Sequence, residues 1–379
     1  MRILGLNAGS STLKFGVFES EAENLRGTLE RTADGVKLTL KPAGSESLHP
    51  VMSLAGEIQL VLKEAGPVDA IGVRVVHGGE LFTAATRVTP KVVEDIRSLA
   101  ELAPLHNGPD ADLLEVLMKR AHLPIVAVFD TAFHSTLPAL ATTYALPKEL
   151  AERLHIRRYG FHGISYRFVV GKLAQKLGDG LGRFVICHLG SGASVCAIRD
   201  GVSVETSMGF TPLEGLVMGT RSGDLDPGAV IYLARHSGMS ADELDKLLNY
   251  QSGLLGVSGL SADVRKLEEY AKKGDPTAEF ALELFAYRVA KYVGAYSVVL
   301  EGLDGLVFTG GIGENSHAVR KRVCDRLNSL GIACPRDTSA DAEIRCISGS
   351  QKPSVWVVRT DEEMQIATET CQLLACPST

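Results

Sequence analysis

The sequence has 379 residues, enough for one to three domains, and its 45% hydrophobic and 22% charged residues are ordinary for a globular protein with a large core. Its formal net charge of −6 argues against a general nucleic-acid or anionic-membrane binder, so any anion site must be a local cluster of cations. The seven cysteines include no CxxC pair, which predicts reduced thiols rather than a disulfide frame or a zinc site. Met1-Arg2 leads into a predicted strand rather than a signal peptide, and no apolar run approaches the roughly 18 residues of a membrane span. These features together predict a cytoplasmic protein.

The chain opens with a predicted hairpin at Ile3–Phe18, in which an apolar strand, a Gly/Ser turn and a second strand follow one another. The same outline returns at Phe184–Arg199, with Gly9 aligned on Gly190. Each turn offers backbone N–H groups and hydroxyls at a strand end, which is typical of a phosphate site. One such hairpin is usually only a hairpin, but the matched pair predicts two similar domains that hold one phosphate chain.

The rest of the first half alternates predicted strands and helices. The strands are Leu25–Arg31, Val36–Pro42, Val68–Val76 and Pro124–Phe129, and the helices are Pro50–Ala65, Pro90–Leu102 and Pro109–Ala121. Polar residues follow two of these strands, at His77-Gly78-Gly79 and at Asp130. Ligands of α/β sheets collect at such strand ends.

The passage between domains is predicted within residues 134–160, which gives an N-terminal domain of 1–145, joined by the C-terminal helix 363–379, and a C-terminal domain of 146–362. Predicted helices follow at Ile164–Leu177, Gly228–His236, Ser240–Asn249, Ala262–Lys272, Thr277–Leu300, Glu314–Leu330 and Glu362–Leu374, with strands at Val202–Met208, Leu306–Thr309 and Val355–Arg359. The long helix has apolar residues at Phe280, Leu284, Val289 and Val293 and could pack within its domain or against a partner.

Two arginines are candidates for anion binding. Arg74 and Val76 lie two apart on a predicted strand and so share a face, and a cation beside a small apolar side chain suits a short carboxylate. The alternative is an ordinary surface arginine. Arg221 lies in a Gly-rich loop and is interpreted as an anion clamp, with pairing to Asp224 or Asp226 as the alternative.

Histidines and carboxylates supply further candidates. His162 lies between glycines and could face a ligand as a hydrogen-bond donor, whereas His106 and His188 taken singly are more typical of structural histidines. Asp130 and Glu362 follow buried-type strands and could order Mg²⁺ through water, with a helix N-cap as the alternative for both.

A third Gly-rich stretch, Thr309–Asn315, connects a predicted strand to a helix. This is a typical nucleotide-loop position, but the spacing is neither Gly-x-Gly-x-x-Gly nor Gly-x-x-x-x-Gly-Lys-Ser/Thr. The stretch therefore argues against the Rossmann and P-loop classes.

These runs together resemble the acetate kinase family along essentially the whole chain. The matching runs are Asn7–Lys14, Arg74–Glu80, Pro104–Asn107, Phe129–His134, Arg158–Gly163, Gly209–Gly215, Gly219–Asp224 and Thr309–Ser316. The resemblance implies an α/β fold of two duplicated actin-like ATPase (ribonuclease H-like) domains flanking a nucleotide cleft. It also implies reversible transfer of the ATP γ-phosphate to acetate by direct in-line displacement, giving acetyl phosphate and ADP, with propionate kinase as the alternative.

The same resemblance implies a role for each matching position. The catalytic residues would be Arg74, Asp130, His162 and Arg221, the acyl pocket Val76, Leu105, Phe161 and Pro212 with Arg74, and the metal ligands Asn7 and Glu362. The nucleotide would be held by Ser10, Thr12, Lys14, His188, Leu189, Gly190, Ser191, Gly192, Asp263, Val264, Arg265, Gly310, Gly311, Ile312, Gly313 and Asn315. The implied cofactor is Mg²⁺, with Mn²⁺ as an alternative, ATP or ADP is the co-substrate, and the implied assembly is a homodimer without nucleic-acid or membrane partners.

Three positions depart from the family pattern. Thr12 stands where Ser is common, which keeps the hydroxyl. Ser191 stands where the family usually has Asn, which bears on the choice of phosphoryl donor. Tyr166 replaces a His often seen four residues after His162, which argues against a catalytic role at that position.

Two other classes of protein share parts of this pattern. An actin-like assembly protein would not need Arg74, Arg221 and His162 together. A sugar kinase would need a catalytic Asp as a base and a polar pocket, whereas the residues implied for the acyl pocket are apolar. A carboxylic acid acceptor, with a pKa of about 4–5, is already ionised at neutral pH and needs no base.

Overall fold

The computed structural model describes residues 1–9, 11–19, 22–41, 44–101, 106–178, 180–333, 342–350 and 352–375. Two predicted site residues, Ser10 and Leu105, lie outside the described residues. Two compact units make up the chain: unit 1 comprises Met1–Ser135, Gly163–Phe168 and Asp361–Thr379, and unit 2 comprises Thr136–His162 and Val169–Thr360. The predicted domain ranges of 1–145 with 363–379, and 146–362, stay a prediction.

The first 130 residues form most of unit 1. In chain order the elements are β1 Arg2–Ala8, β2 Thr12–Glu19, β3 Ala22–Thr32, β4 Gly35–Lys41, β5 Ser45–His49, α1 Leu54–Ala65, β6 Ala70–Val75, β7 Thr86–Arg87, α2 Pro90–Ser98, α3 Asn107–Arg120 and β8 Ile125–Phe129. The predicted strands and helices of this half are confirmed, with ends that differ by a few residues. β5 and β7 were not predicted.

The remaining elements belong to unit 2, apart from α14 and the first turns of α6. They are α4 Ala139–Thr142, α5 Lys148–Arg153, α6 Gly163–Leu177, β9 Arg183–Leu189, β10 Ala193–Arg199, β11 Val202–Thr206, α7 Pro227–His236, α8 Ala241–Tyr250, α9 Gly253–Ser258, α10 Val264–Lys272, α11 Pro276–Val299, β12 Gly305–Thr309, α12 Gly310–Asn315, α13 His317–Asp325, β13 Ile344–Cys346, β14 Ser354–Val358 and α14 Glu362–Ala375. Local chemistry sets several helix starts: Asp275 accepts from two backbone N–H groups at the start of α11, and Pro276 follows it.

The sheet of unit 1 has the strand order β5-β4-β3-β2-β1-β6-β8-β7. Strands β1, β6 and β8 are parallel, while β2 and β3 pair antiparallel on the β1 side. The carboxyl ends of the three parallel strands therefore meet at one edge of the sheet, where Asn7, Arg74 and Asp130 lie.

A row of glycines crosses this sheet beneath α14. Gly5 pairs with Gly16 on one side and with Gly72 on the other. A β-carbon at Gly5 would lie 2.6 Å from the carbonyl oxygen of Glu363, and one at Gly72 would lie 2.6 Å from Ile366 Cγ2. The absence of side chains at these positions lets the helix backbone lie directly on the strands, and it fixes the position of the first turn of α14.

The sheet of unit 2 repeats the plan of unit 1. Its order is β11-β10-β9-β12-β14-β13, with β9, β12 and β14 parallel and with β10 and β11 antiparallel. Its first five strands thus correspond one by one to β3, β2, β1, β6 and β8. The predicted duplication is confirmed at the level of strand order and direction.

The two hairpins differ in the length of their turns. In the first, Ala8 pairs with Leu13, and in the second Leu189 pairs with Ala193. The second turn is therefore one residue shorter, so the alignment of Gly9 on Gly190 holds at the start of the turn and slips by one residue after it.

One predicted helix, Glu314–Leu330, is wrong in its extent. The chain enters α12 already at Gly310, leaves it at Asn315 and starts α13 with Ser316 as the N-cap. The Ser316 hydroxyl accepts from Val319 N at 3.0 Å, which begins a new helix instead of continuing the old one.

The predicted apolar face of α11 is also partly wrong. Phe280 is 61% exposed and Leu284 only half-buried, whereas Phe285, Val289 and Val293 are fully buried. The helix is apolar on more than one side, so spacing alone did not identify the inner face. None of the helices within the described ranges is long and apolar enough to cross a membrane.

Candidate active site

Arg74 is held at the edge of the unit 1 sheet by a buried carboxylate. Its Nε and Nη2 donate to the same oxygen of Asp130 at 3.0 and 2.6 Å, and its Nη1 donates to the carbonyl of Ala8 at 3.2 Å. Burial by itself would lower the pKa of Arg74. The nearby carboxylates, chiefly Asp130 and Glu362, together raise this pKa by more than burial lowers it, so the net shift is upward. The guanidinium is therefore permanently charged and fixed in orientation, unlike an ordinary surface arginine.

Asn7, on β1, contacts the start of α14. Its Nδ2 donates to Glu362 Oε2 at 2.8 Å and to Glu363 Oε1 at 3.1 Å. The helix-capping role falls to Asp361, whose Oδ1 accepts from Met364 N at 3.0 Å. The carboxylate of Glu362 thus faces Asn7, and the N-cap alternative for Glu362 is set aside.

Asn7 and Glu362 suit a magnesium ion that is held largely by substrate phosphates. Since the NH₂ group of Asn7 is turned to two carboxylates, its oxygen is the end left for a cation. Within the described ranges there is no group of three or more His, Cys, Asp or Glu residues that could hold a metal. Mg²⁺ normally uses one or two carboxylates together with phosphates and waters, so the amide oxygen and Glu362 fit it.

The first turn of α3 secures the end of β6. Val76 N donates to Asp110 Oδ2 at 2.9 Å, and Asn107 Nδ2 donates to the carbonyl of His77 at 2.8 Å. The pKa of Asp110 is raised to about 7, chiefly by burial. The N–H of Val76 and the charge of Arg74 lower this pKa, but by less than burial raises it. Sequence reasoning missed Asp110, because an acidic residue in the first turn of a helix is commonplace.

Lys14 and Thr12 lie on β2 of the same unit. Lys14 pairs with Asn7 in the hairpin register, and Gly9 N donates to the carbonyl of Thr12 at 2.7 Å across the turn. Lys14 thus lies beside Asn7, and its charge lowers the pKa of Glu363, which burial raises. A phosphate role for Lys14 and Thr12 stays a prediction.

His162, which belongs to unit 2, directly precedes α6 and has a left-handed backbone, at φ 59°. Its Nδ1 lies 2.9 Å from Ser194 Oγ, and its ring stacks on that of His188 with centroids 4.3 Å apart. A β-carbon at Gly192 would lie 3.4 Å from both His162 Nε2 and Arg221 Nη1. The structure therefore brings the second hairpin turn, two histidines and Arg221 together.

Arg221 contacts the loop that carries Pro212. Its Nη1 donates to the carbonyl of Pro212 at 3.3 Å. Asp224 accepts from Gly215 N at 2.8 Å and from the hydroxyl of Tyr292 at 2.7 Å. Asp226 caps α7, which gives that carboxylate a structural role.

Phe161, which precedes His162, is buried in unit 2. Of the predicted acyl-pocket residues, Phe161 and Pro212 belong to unit 2 and Val76 to unit 1.

The nucleotide candidates of unit 2 fall into two groups. Gly310, at φ 76°, packs against the backbone of Leu189, and a β-carbon there would lie 2.8 Å from the Leu189 carbonyl oxygen. The turn after β9 and the start of α12 are therefore adjacent, which brings together His188, Leu189, Gly190, Ser191, Gly192, Gly310, Gly311, Ile312, Gly313 and Asn315.

The second group lies at the start of α10. Asp263 caps this helix and pairs with Arg265, and Val264 is buried between them. The α10 helix is linked to the Ser316 junction by the bond from that hydroxyl to Glu268. A structural capping role accounts for Asp263, and a nucleotide role for Asp263, Val264 and Arg265 stays a prediction.

The chain is similar to acetate kinases over its whole length. The profile of the Acetokinase family matches residues 2–368. The acetate kinase of Coprothermobacter proteolyticus is 45% identical over 401 residues, covering 99% of each chain. The crystal structure of Porphyromonas gingivalis acetate kinase has a TM-score of 0.91 at 36% identity, over 98% of this chain and 99% of that one. The crystal structure of a propionate kinase from Francisella tularensis subsp. tularensis has a TM-score of 0.91 at 38% identity, over 97% and 98%. These similarities confirm the predicted actin-like two-domain α/β fold.

Proposed function

The chain belongs to the acetokinase family, and we propose that it transfers the γ-phosphate of ATP to acetate, reversibly, giving acetyl phosphate and ADP. The observation that carries this proposal is the fixed guanidinium of Arg74, bonded to buried Asp130 at the strand ends where Asn7 and Glu362 also lie. Such a group suits a reaction in which two anions must be brought together.

The chemistry needs charge stabilisation rather than a base. Acetate is ionised at neutral pH, so its oxygen attacks the γ-phosphorus directly while the bond to the bridging oxygen of ADP breaks. We assign Arg74 and Arg221 to the carboxylate and the transferring phosphoryl group. Positioned cations at such a centre are typically worth a factor of about 10²–10³ in turnover.

His162 serves as a hydrogen-bond donor in this proposal. Ser194 engages its Nδ1, and the left-handed backbone sets the direction of the ring. We assign its Nε2 to an oxygen of the phosphoryl group. Asp130 acts through Arg74, because its carboxylate holds the guanidinium in place.

Magnesium, with manganese as the alternative, would be held by Asn7 and Glu362 together with the nucleotide phosphates. When bound, the ion neutralises phosphate charge. Ser10, Thr12 and Lys14, together with His188–Gly192, are assigned to the phosphate chain, and the starts of α10 and α12 to adenosine.

Propionate is the second candidate acceptor, because a propionate kinase is among the similar structures. The proposed acyl pocket is Val76, Leu105, Phe161 and Pro212. One methylene in an apolar pocket is worth about 1–3 kcal/mol, so discrimination by Val76 is expected to be modest.

Assembly and location complete the proposal. We propose a homodimer, which is supported by the exposed apolar side chains of Phe280, Tyr287 and Val298 on α11. We also propose a cytoplasmic location and no nucleic-acid or membrane partner, in keeping with the net charge of −6. Light scattering at two protein concentrations tests the assembly.

A hydroxylamine trap tests the reaction. Protein, MgATP and acetate are mixed with hydroxylamine, which converts an acyl phosphate to a coloured hydroxamate. The expected result is hydroxamate formation in step with ADP release, strongest with acetate, weaker with propionate and weakest with butyrate. ATP loss without hydroxamate would favour an actin-like ATPase or a sugar kinase. The same assay with GTP and pyrophosphate tests the donor choice at Ser191.

A further inference from the structure

The guanidinium of Arg158 donates hydrogen bonds to main-chain carbonyls and to a carboxylate. Its Nε donates to the carbonyl of Ala141 at 3.2 Å, and its Nη1 donates to the carbonyls of Thr206 and Met208, each at 3.1 Å. Its Nη2 donates to Glu214 Oε1 at 2.7 Å. Only arginine presents enough donors in a planar fork for four such acceptors on different sides.

Glu214 and Tyr144 complete the cluster around Arg158. The guanidinium lies over the Tyr144 ring at 5.6 Å. The Tyr144 hydroxyl donates to Glu214 and accepts from Phe210 N, the latter at 2.9 Å. Burial raises the pKa of Tyr144 despite the charge of Arg158, so the hydroxyl keeps its proton for this bond.

The cluster is pressed against the backbone of the loop 206–215. A β-carbon at Gly209 would overlap both Glu214 Oε2 and the Tyr144 hydroxyl. Gly209 in turn accepts from Tyr159 N at 3.1 Å and from Gly160 N at 3.3 Å. The segment that carries Phe161 and His162 is therefore bonded to this loop.

The same loop is bonded to Arg221, one of the predicted site residues. Its Pro212 carbonyl accepts from Arg221 Nη1, and its end is held where Gly215 N donates to Asp224. A shift of the loop would move the Pro212 ring and the carbonyl partner of Arg221 together.

We infer that Arg158, with Glu214 and Tyr144, is the positioning group of the acceptor side: it locks the loop 206–215 onto the segment 158–162 and so sets the places of Pro212, Arg221 and His162. The kinetic part of this inference rests on the proposed function. The structural part, the locking of the loop, does not.

The test compares Arg158→Lys with Arg183→Lys. Arg183 is the matched control, because it also bonds a carboxylate, Asp304, and a main-chain carbonyl, Glu301, but at the opposite end of β9 from His188. Lysine keeps the charge in both variants and loses the fork.

Two readouts are measured. In Arg158→Lys, kcat is expected to fall and KM for the carboxylate to rise, by about tenfold or more in kcat/KM, with KM for MgATP within twofold of the wild-type value. Hydrogen–deuterium exchange is expected to rise in residues 206–215 and 158–163. Arg183→Lys should change neither.

The outcomes separate the two claims. Unchanged hydrogen–deuterium exchange in the loop of Arg158→Lys overturns the inference. A rise in both KM values together with a fall in kcat and in melting temperature also overturns it, because that combination indicates general unfolding. If the wild-type protein makes no acyl phosphate, the proposed function fails, and the exchange comparison still decides the locking role. Glu214→Gln, which keeps an acceptor for Tyr144 but removes the charge, should give an intermediate effect.

Discussion

Arg74 donates two hydrogen bonds to a single oxygen of Asp130, from Nε at 3.0 Å and from Nη2 at 2.6 Å, across 56 positions of sequence. Asp130 is 1% exposed, and the charge of Arg74 offsets part of the cost of burying this carboxylate. The pair therefore links the stability of unit 1 to the charge proposed for catalysis, and the two contributions can be separated by mutation.

Arg74→Ala is expected to lower turnover by about 10²–10³, because a positioned cation at the phosphoryl group is lost. It should also destabilise the fold by roughly 3–5 kcal/mol, since it removes the cationic partner of a buried carboxylate. The double variant Arg74→Ala with Asp130→Asn should regain most of that stability and none of the turnover. Urea unfolding and the hydroxamate assay measure the two effects. Recovery of activity in the double variant would contradict the assignment.

Arg221→Ala should lower turnover by a similar factor of about 10²–10³, because the second positioned cation is lost, and it also removes the bond from Nη1 to the carbonyl of Pro212. The same two measurements apply. Near-normal turnover in both single arginine variants would refute the proposed role of the two cations.

Val76→Ala should shift preference toward propionate, because it opens the proposed pocket by two methyl groups. A change of about 1–3 kcal/mol corresponds to roughly a tenfold to hundredfold change in the ratio of kcat/KM values for propionate and acetate. Val73→Ala, within β6 and also buried, is the control and should leave the ratio unchanged. An unchanged ratio in Val76→Ala would show that the pocket is misplaced.

Asp110 predicts a pH dependence of stability. Its pKa is raised to about 7 by burial, so the folded state binds the proton more tightly than the unfolded chain does. The stability it contributes is fully present below the unfolded pKa of ~3.9 and is lost as pH rises through about 7.

Asp110→Asn, which stays neutral and keeps an acceptor for Val76 N, tests this dependence. The free energy of unfolding of the variant minus that of the wild type should increase as pH rises from 4 to 8. Urea titrations at each pH measure the difference. A difference that stays constant, or that shrinks with rising pH, would contradict the upward shift.

Gly72→Ala should destabilise unit 1 by about 1–3 kcal/mol, because its β-carbon would overlap Thr370 and press on Ile366 beneath α14. Gly171→Ala is the control: it lies in α6 with nothing within 4 Å of an added β-carbon, and alanine there should stabilise by up to about 1 kcal/mol. Thermal unfolding compares the two. Equal melting temperatures would mean that α14 does not need the glycine row.

The sequence was informative where one local rule decides the structure. Apolar strands around Gly/Ser turns predicted both hairpins, and prolines near the helix start predicted α2 and α3. The break at Ser316 was missed, because a hydroxyl that starts α13 is indistinguishable by composition from one inside a longer helix. The buried face of α11 was missed because the helix is apolar on several sides.

For the site, the sequence identified residue types but not their bonds. Arg74 and Asp130 were predicted separately, and only the pairing of β6 with β8 shows that one fixes the other. Asp110, Glu363 and Arg158 were missed because each acts through a partner distant in sequence. The glycine row beneath α14 needed the strand register, which neither Gly5 nor Gly72 reveals alone.

The most direct test of the account runs the reaction in reverse. The protein is incubated with acetyl phosphate and MgADP and followed by ³¹P nuclear magnetic resonance. The proposed transfer predicts that the phosphate signals of ATP grow as the acetyl phosphate signal falls, one for one, and that Arg74→Ala with Asp130→Asn slows this by about 10²–10³. Release of inorganic phosphate without ATP, or no loss of acetyl phosphate, would contradict it.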